Sequence, residues 1–232
     1  MGNWMAYWRA TGARPGRRVA FRYVSRATLF NAAALLAALM IDASAAAGKA
    51  PFRILALGDS ITAGYGLAQP DSLPARLEAA LRQAGREVEV INGGVSGDTS
   101  AGGLARLNWM LGEKPDAVIV ELGGNDGLRG LDPKQTYANL DEILTRLGSA
   151  RVRVLLTGMQ APPNLGREYG REFNAIYAAL AERHHCLFYP FILDGVAAEP
   201  GLNQADGIHP NAQGVAVIVA RLVPYVERLM GG

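Results

Sequence analysis

From Pro51 onward the chain alternates short apolar runs with longer stretches in which apolar residues recur at intervals of three and four. The runs are RILALG (Arg53 to Gly58), EVEVIN (Glu87 to Asn92), DAVIVEL (Asp116 to Leu122), VRVLLTG (Val152 to Gly158) and CLFYP (Cys186 to Pro190). They are short, rich in β-branched residues and bounded by glycine, proline or polar residues, which predicts five strands. Between them lie Asp71 to Gly85, Thr99 to Leu111, Lys134 to Gly148 and Arg171 to His185, with Gln213 to Met230 closing the chain; these carry the helical period, and Gly85 and Gly148 stand where a helix ends. Strand, helix and strand at this spacing demand right-handed crossovers and a parallel sheet covered on both faces. The expected fold is a single three-layer α/β/α sandwich on a five-stranded parallel sheet.

In such a sheet, ligands bind beyond the carboxyl ends of the strands. The loops at that edge are GDSITAGYG after the first strand, NGGVSGDTS after the second, GGNDGLRG after the third and GMQAPPNLGREYG after the fourth. The region before the last helix, containing NQADGIHPNAQG, joins them. Glycines and polar residues crowd onto one edge.

The first 50 residues read differently. Six arginines lie before residue 49 against a single acid, Asp42, and they are followed by the apolar run Ala27 to Ile41 and then by ASAAAGKA. Basic, apolar and small in that order is a secretory signal peptide, assigned to residues 1–47 with an uncleaved anchor as the alternative. The apolar run is shorter than the about 20 residues that span a bilayer, so no stable membrane span is expected once the signal is cleaved. The expected location is the periplasm or the medium. Without that segment 17 basic side chains face 20 acidic ones, a net charge of −3; a mildly acidic body offers nucleic acid no basic face. Cys186 is the only cysteine, so no intramolecular disulfide forms and its thiol is expected in the core. A monomer is the expectation.

The glycine-rich stretch Gly93 to Gly103 invites a nucleotide reading. A P-loop needs a lysine beside its last glycine, and a dinucleotide fingerprint needs G-x-G-x-x-G directly after a strand. The stretch has no lysine, and Gly58, Gly64 and Gly66 have the wrong spacing. Acyl transfer fits the same loops better. Ser60 follows a buried strand in a turn that exposes its hydroxyl at the sheet edge. Of three histidines, His184 and His185 close a helical pattern, where a cation suits the dipole. His209 stands three residues after Asp206 in the turn D-G-I-H, so one loop brings a carboxylate to Nδ1 while Nε2 faces the serine. Taken alone, that turn fits a capping arrangement equally well. The G-x-S-x-G elbow of α/β-hydrolases is not matched.

Together the blocks resemble the SGNH (GDSL-type) hydrolase family, and within it the bacterial periplasmic group with arylesterase, acyl thioesterase and lysophospholipase activity. ILALGDSITAGYG resembles the serine block, INGGVSGDTSAGGLARL the glycine block, VELGGNDGLRG the asparagine block and DGIHPNAQG the Asp-His block, spanning about Ile54 to the last helix. The resemblance implies a flavodoxin-like domain over residues 48–232 and a catalytic set of Ser60, Asp206 and His209. It also implies an oxyanion hole from the N–H of Ser60, the N–H of Gly97 and the amide of Asn125. No metal or cofactor is implied. Ser60 would attack an ester or thioester carbonyl, an acyl-enzyme would form, and water would release it with His209 as base in both steps. In the resembling group the region Met159 to Gly170 lines the acyl groove, which makes Met159, Pro162, Leu165 and Tyr169 the candidate substrate contacts. A carbohydrate O-acetylesterase on the same fold is the alternative, and a non-catalytic envelope binding protein a third reading. Among neighbouring residues, Asp59 is expected to bond loop backbone and Asp98 to cap a helix. Asp126 and Glu121 read as loop and buried-network groups, and Trp109 and Tyr137 as core or helix-face residues.

Overall fold

A computed structural model describes residues 50–231; the segment 1–47 read as a signal peptide lies outside the described residues. Five strands form one sheet: β1 (Phe52–Gly58), β2 (Val88–Gly94), β3 (Ala117–Glu121), β4 (Arg153–Thr157) and β5 (Leu187–Tyr189). Their order is β2-β1-β3-β4-β5 and every pairing is parallel. All five residues of β3 are buried, as are Ile54, Leu55, Ala56 and Leu57 of β1. Strands closed off on both faces read as unbroken apolar runs, which is why they were visible in the sequence.

The longer helices are α2 (Leu73–Gln83), α3 (Ser100–Met110), α5 (Pro133–Ser149), α6 (Arg167–His184) and α7 (Ala212–Met230). Each presents an apolar stripe: Leu73, Leu77 and Leu81 on α2, Leu140, Ile143, Leu144 and Leu147 on α5, and Val215, Ile218, Val219 and Leu222 on α7. α2 packs on α7, while α5 packs on both α3 and α6, and both groups touch the sheet. Because β3 is buried throughout, the two groups cover opposite faces. Asp132 caps α5 through Lys134 N–H at 2.9 Å, and Asn211 caps α7 through Gln213 and Gly214 N–H at 2.9 and 3.0 Å.

The chain steps from β1 to β2 on one side and to β3 on the other, so the loops after β1 and β3 diverge and leave a crevice between them. Two short helices fill this edge, α1 (Ser60–Ala63) and α4 (Gly124–Leu128), both too brief to carry a readable period. β2 runs two residues further than expected, through Gly93 and Gly94. A Cβ on Gly94 would strike the backbone of Ala63, so the strand end and the nucleophile turn touch only because side chains are absent there.

Trp109 and Tyr137 keep to the helix-face and core readings, and Cys186 alone of the three departs from expectation. Trp109 is 77% exposed, on the outer face of α3. Tyr137 is half-buried against the core, and Cys186 is half-buried rather than enclosed.

Candidate active site

The nucleophile turn is built by Asp59. Its Oδ1 accepts the Ile61 N–H at 3.1 Å and caps α1, placing Ser60 at the first helical position. Gly64, at φ +79°, closes the turn with its N–H on the Ser60 carbonyl at 3.1 Å. A left-handed residue is required there, and glycine takes it without strain.

Asp206 and His209 stand in a hairpin-like turn closed by the bridge between Asn203 and Pro210. Asp206 Oδ1 accepts the N–H groups of Ile208 at 2.9 Å and His209 at 3.0 Å, and Oδ2 lies 2.6 Å from His209 Nδ1. Those backbone donors, with the imidazole, hold the Asp206 carboxyl down at about 2. An ionised Asp206 accepts a hydrogen bond from Nδ1–H, which leaves Nε2 to accept from Ser60 Oγ at 2.8 Å. The D-G-I-H turn carries both arrangements its spacing left open: one carboxylate oxygen caps the turn backbone and the other meets the imidazole.

The expected oxyanion donors lie on two further loops. Gly97, at φ +85°, accepts from Arg129 Nη2 at 2.9 Å through its carbonyl. Among the described residues, the N–H groups of Gly97 and Ser60 donate to no protein acceptor. Asn125 stands at the start of α4 and donates from Nδ2 to the Asp98 carbonyl at 2.9 Å and, less closely, to Asp59 Oδ2 at 3.2 Å. Asp98 is not the helix cap: Thr99 Oγ1 takes the Gly102 N–H at 3.3 Å, while the Asp98 carboxylate pairs with Arg106 at 2.7 Å. Arg106 also donates to the Gly58 carbonyl at 2.8 Å, so the ends of β1 and β2 are tied together.

Behind the turn two carboxyls are buried side by side. Glu121 Oε2 accepts from the Asp59 N–H at 3.2 Å and the Thr62 hydroxyl at 2.7 Å. Burial raises the pKa of Asp59 to about 6 despite the Ile61 N–H, and burial and the Asp59 charge raise Glu121 well above the carboxyl range. Of the two, Glu121 has its ionised form disfavoured the more, since it is fully buried and its Oε1 has no hydrogen-bond partner among the described residues, while Asp59 is met by the Ile61 N–H and the Asn125 amide. Asp126 is buried in its own network, with Ser100 N–H at 2.8 Å, Ser100 Oγ at 2.5 Å and Thr136 Oγ1 at 3.1 Å.

A cleft of about 400 Å³ opens beside Ser60, His209 and Asn125. Met159 and Pro162 line it, together with Leu128, Phe191, Leu193 and Ile208. Leu165 and Tyr169 do not. Helix α6 starts at Arg167, four residues earlier than the sequence suggested, and puts Tyr169 one turn before Phe173. Its ring stacks on Phe173 at 5.8 Å and its hydroxyl donates to the Leu131 carbonyl at 2.8 Å. Leu165, in a 3₁₀ turn, lies over Gly130.

The pattern of a GDSL-like lipase/acylhydrolase matches residues 56–217, from inside β1 into α7. The chain belongs to the GDSL-like lipase/acylhydrolase family. It is 42% identical over 178 residues to the esterase TesA of Pseudomonas aeruginosa, covering 76% of this chain and 89% of that one. It is 43% identical over 178 residues to the thioesterase 1/protease 1/lysophospholipase L1 of Escherichia coli, covering 76% and 84%. The crystal structure of AlinE4, an SGNH-hydrolase family esterase, superposes with a TM-score of 0.67 at 48% identity, covering 78% of this chain and 97% of that one. The protein is thus an SGNH-type carboxylic ester hydrolase.

In this family member the cleft wall is where the sequence reading fell short. Phe191, Leu193 and Ile208 lie between β5 and α7, a stretch without helical or strand period. The only signal for Ile208 and Leu128 was an apolar residue inside a polar block, D-G-I-H in one case and N-D-G-L-R in the other.

Proposed function

We propose that Ser60, His209 and Asp206 hydrolyse carboxylic esters and thioesters through an acyl-enzyme. The observation that carries this is the continuous chain from Ser60 Oγ to His209 Nε2 at 2.8 Å and from Nδ1 to Asp206 at 2.6 Å, at the mouth of an apolar cleft. His209 takes the Ser60 proton as Oγ attacks the carbonyl carbon, and Asp206 stabilises the imidazolium. The carbonyl oxygen, now an anion, receives the N–H groups of Ser60 and Gly97 and the amide of Asn125, whose long bond to Asp59 is the one given up. The imidazolium then protonates the leaving alcohol or thiol. Water, deprotonated by the same imidazole, frees the acid.

The cleft suits an acyl chain of several carbons: its walls are Leu, Ile, Met, Pro and Phe side chains, and its volume exceeds what acetyl needs. Aryl esters, medium-chain acyl esters and thioesters, and lysophospholipids are the proposed substrates, in keeping with the names of the relatives. Export through the N-terminal segment makes lysophospholipid and exogenous esters the natural targets rather than cytosolic acyl-CoA. No helix among the described residues is long and apolar enough to cross a membrane. The proposed working form is a monomer that binds no nucleic acid, because one chain carries every group of the site and its body is mildly acidic.

Hydrolysis of p-nitrophenyl esters and acyl thioesters from acetyl upward, by the wild type and Ser60→Ala side by side, tests this. Turnover of medium chains by the wild type alone is the expected result. Reaction with acetyl esters only would move the protein to the carbohydrate O-acetylesterase alternative. Equal turnover by both proteins would remove Ser60 from the mechanism.

A further inference from the structure

The base must be held within about 0.5 Å of its productive position against the nucleophile, yet Ser60 and His209 lie on loops 149 residues apart. A misplacement of 1 Å can cost about a hundredfold in rate. The loops therefore need a bond other than the one that breaks and re-forms in each cycle. The structure contains one. The Tyr65 N–H donates to the Ser60 carbonyl at 3.0 Å, the Tyr65 carbonyl accepts from Gln204 Nε2 at 2.7 Å, and the Gln204 N–H donates to the His209 carbonyl at 2.8 Å. The contact of His209 Nε2 with Ser60 Oγ closes the circuit. Gln204 Nε2 also donates to the Pro210 carbonyl at 3.0 Å, so one amide group bridges the residue after the base and the loop of the nucleophile.

Two observations show that this bridge is tightly built. Gly66, at φ +72°, lies so close to Gln204 that a Cβ would overlap the amide oxygen. The Tyr65 ring lies 4.7 Å from the His209 ring at a tilt of 41°, although the tyrosine is 53% exposed and has no core to bury itself in. A large aromatic half in water and resting on the imidazole leaves that ring little room to rotate away from Ser60.

We infer that Gln204 and Tyr65 are positioning residues which lock the His209 turn onto the nucleophile turn, the amide fixing the two backbones and the phenol ring fixing the imidazole. The inference rests on the catalytic reading of Ser60 and His209. Neither residue touches the reacting carbonyl, so their loss slows chemistry and leaves substrate binding in the cleft intact.

The test measures kcat and KM on a medium-chain p-nitrophenyl ester, together with the rate of covalent labelling by a fluorophosphonate. Wild type, Gln204→Met, Tyr65→Ser, Tyr65→Phe, Gly66→Ala, Ser60→Ala and His209→Gln are compared. Gln204→Met keeps length and removes both donors; kcat and labelling rate should fall about tenfold or more, with KM within about twofold. Tyr65→Ser should lose several-fold in kcat, and Tyr65→Phe, which keeps the ring, should recover most of it. If Gln204→Met fails to fold, Gly66→Ala decides, since it displaces the amide without removing it: lowered kcat at constant KM supports the lock. Wild-type kcat in Gln204→Met, or in Gly66→Ala where the first is not folded, overturns it, whatever the melting temperature does. Turnover retained by Ser60→Ala and His209→Gln would instead bring down the catalytic reading itself.

Discussion

Two histidines in this chain are paired with aspartate at the same distance, and only one of them also faces a serine hydroxyl. His184 Nε2 lies 2.6 Å from Asp141, and His209 Nδ1 lies 2.6 Å from Asp206. Each sits beside a cavity of about 400 Å³, at opposite ends of the sheet. At the His184 end the carboxylate and the nearby arginine are already engaged elsewhere. Asp141 also holds Arg183 at 3.0 Å, and Arg153, which lines that cavity, donates to the Leu229 carbonyl at the end of α7 at 3.1 Å. Cys186 is there too, but burial raises its pKa and disfavours the thiolate. At the His209 end the carboxylate holds one ring nitrogen, the other faces a hydroxyl, and the N–H groups of Ser60 and Gly97 meet no protein acceptor among the described residues. A cavity and a His–Asp pair do not make an active site; a free ring nitrogen aimed at a nucleophile does.

The largest expected effect separates the pairs directly. His209→Gln should lower kcat by about 10⁴-fold or more, whereas His184→Gln should leave it within about twofold; comparable losses in both would erase the distinction. Next comes Asn125→Ala, with a fall of about 10² to 10³ in kcat and little change in KM, the pattern of a donor that acts in the transition state. A loss no greater than that of a remote surface change would remove Asn125 from the oxyanion hole. A smaller effect concerns the walls of the cleft. Leu193→Trp should lower kcat/KM for the longest acyl chains about tenfold relative to acetyl, and Leu165→Ala should not change the chain-length profile. A profile moved by Leu165 and not by Leu193 would relocate the acyl groove.

The smallest effects are on stability and its pH dependence. Asp206 has a folded-state pKa near 2 against an unfolded value of about 3.9. The folded state therefore binds its proton less readily, and the resulting stabilisation is present above about pH 4 and lost as pH falls through about 2. The urea midpoints of wild type and Asp206→Asn should converge over that window. His184→Gln should cost no more than about 1 kcal/mol, because its contact with Asp141 is only partly buried; urea unfolding at neutral pH measures it.

Much of this was legible in the sequence, for identifiable reasons. β1 and β3 are buried on both faces and so read as apolar runs, and α2, α5 and α7 each bury one stripe and so show the helical period. Ser60, Asp206 and His209 stand in short blocks that force their neighbours' types: Asp59 to cap, Gly64 and Gly207 to take positive φ. What escaped notice depends on long-range packing. Tyr65 and Gln204 meet across 139 positions, and neither residue type marks a site by itself. Tyr169 looked like a loop residue because Gly166 and Gly170 flank it at the start of α6, yet its hydroxyl and ring are both engaged within the fold. Asp98 looked like a helix cap because Thr99 beside it does that work.

Site-resolved covalent labelling tests the central claim most directly. A fluorophosphonate is reacted with wild type, His184→Gln and His209→Gln, and the adduct is located by peptide mass spectrometry with its rate of formation. The adduct should fall on Ser60 at equal rates in wild type and His184→Gln, and form at least about a hundredfold more slowly in His209→Gln. An adduct on another residue, or undiminished labelling of Ser60 without His209, would contradict the account.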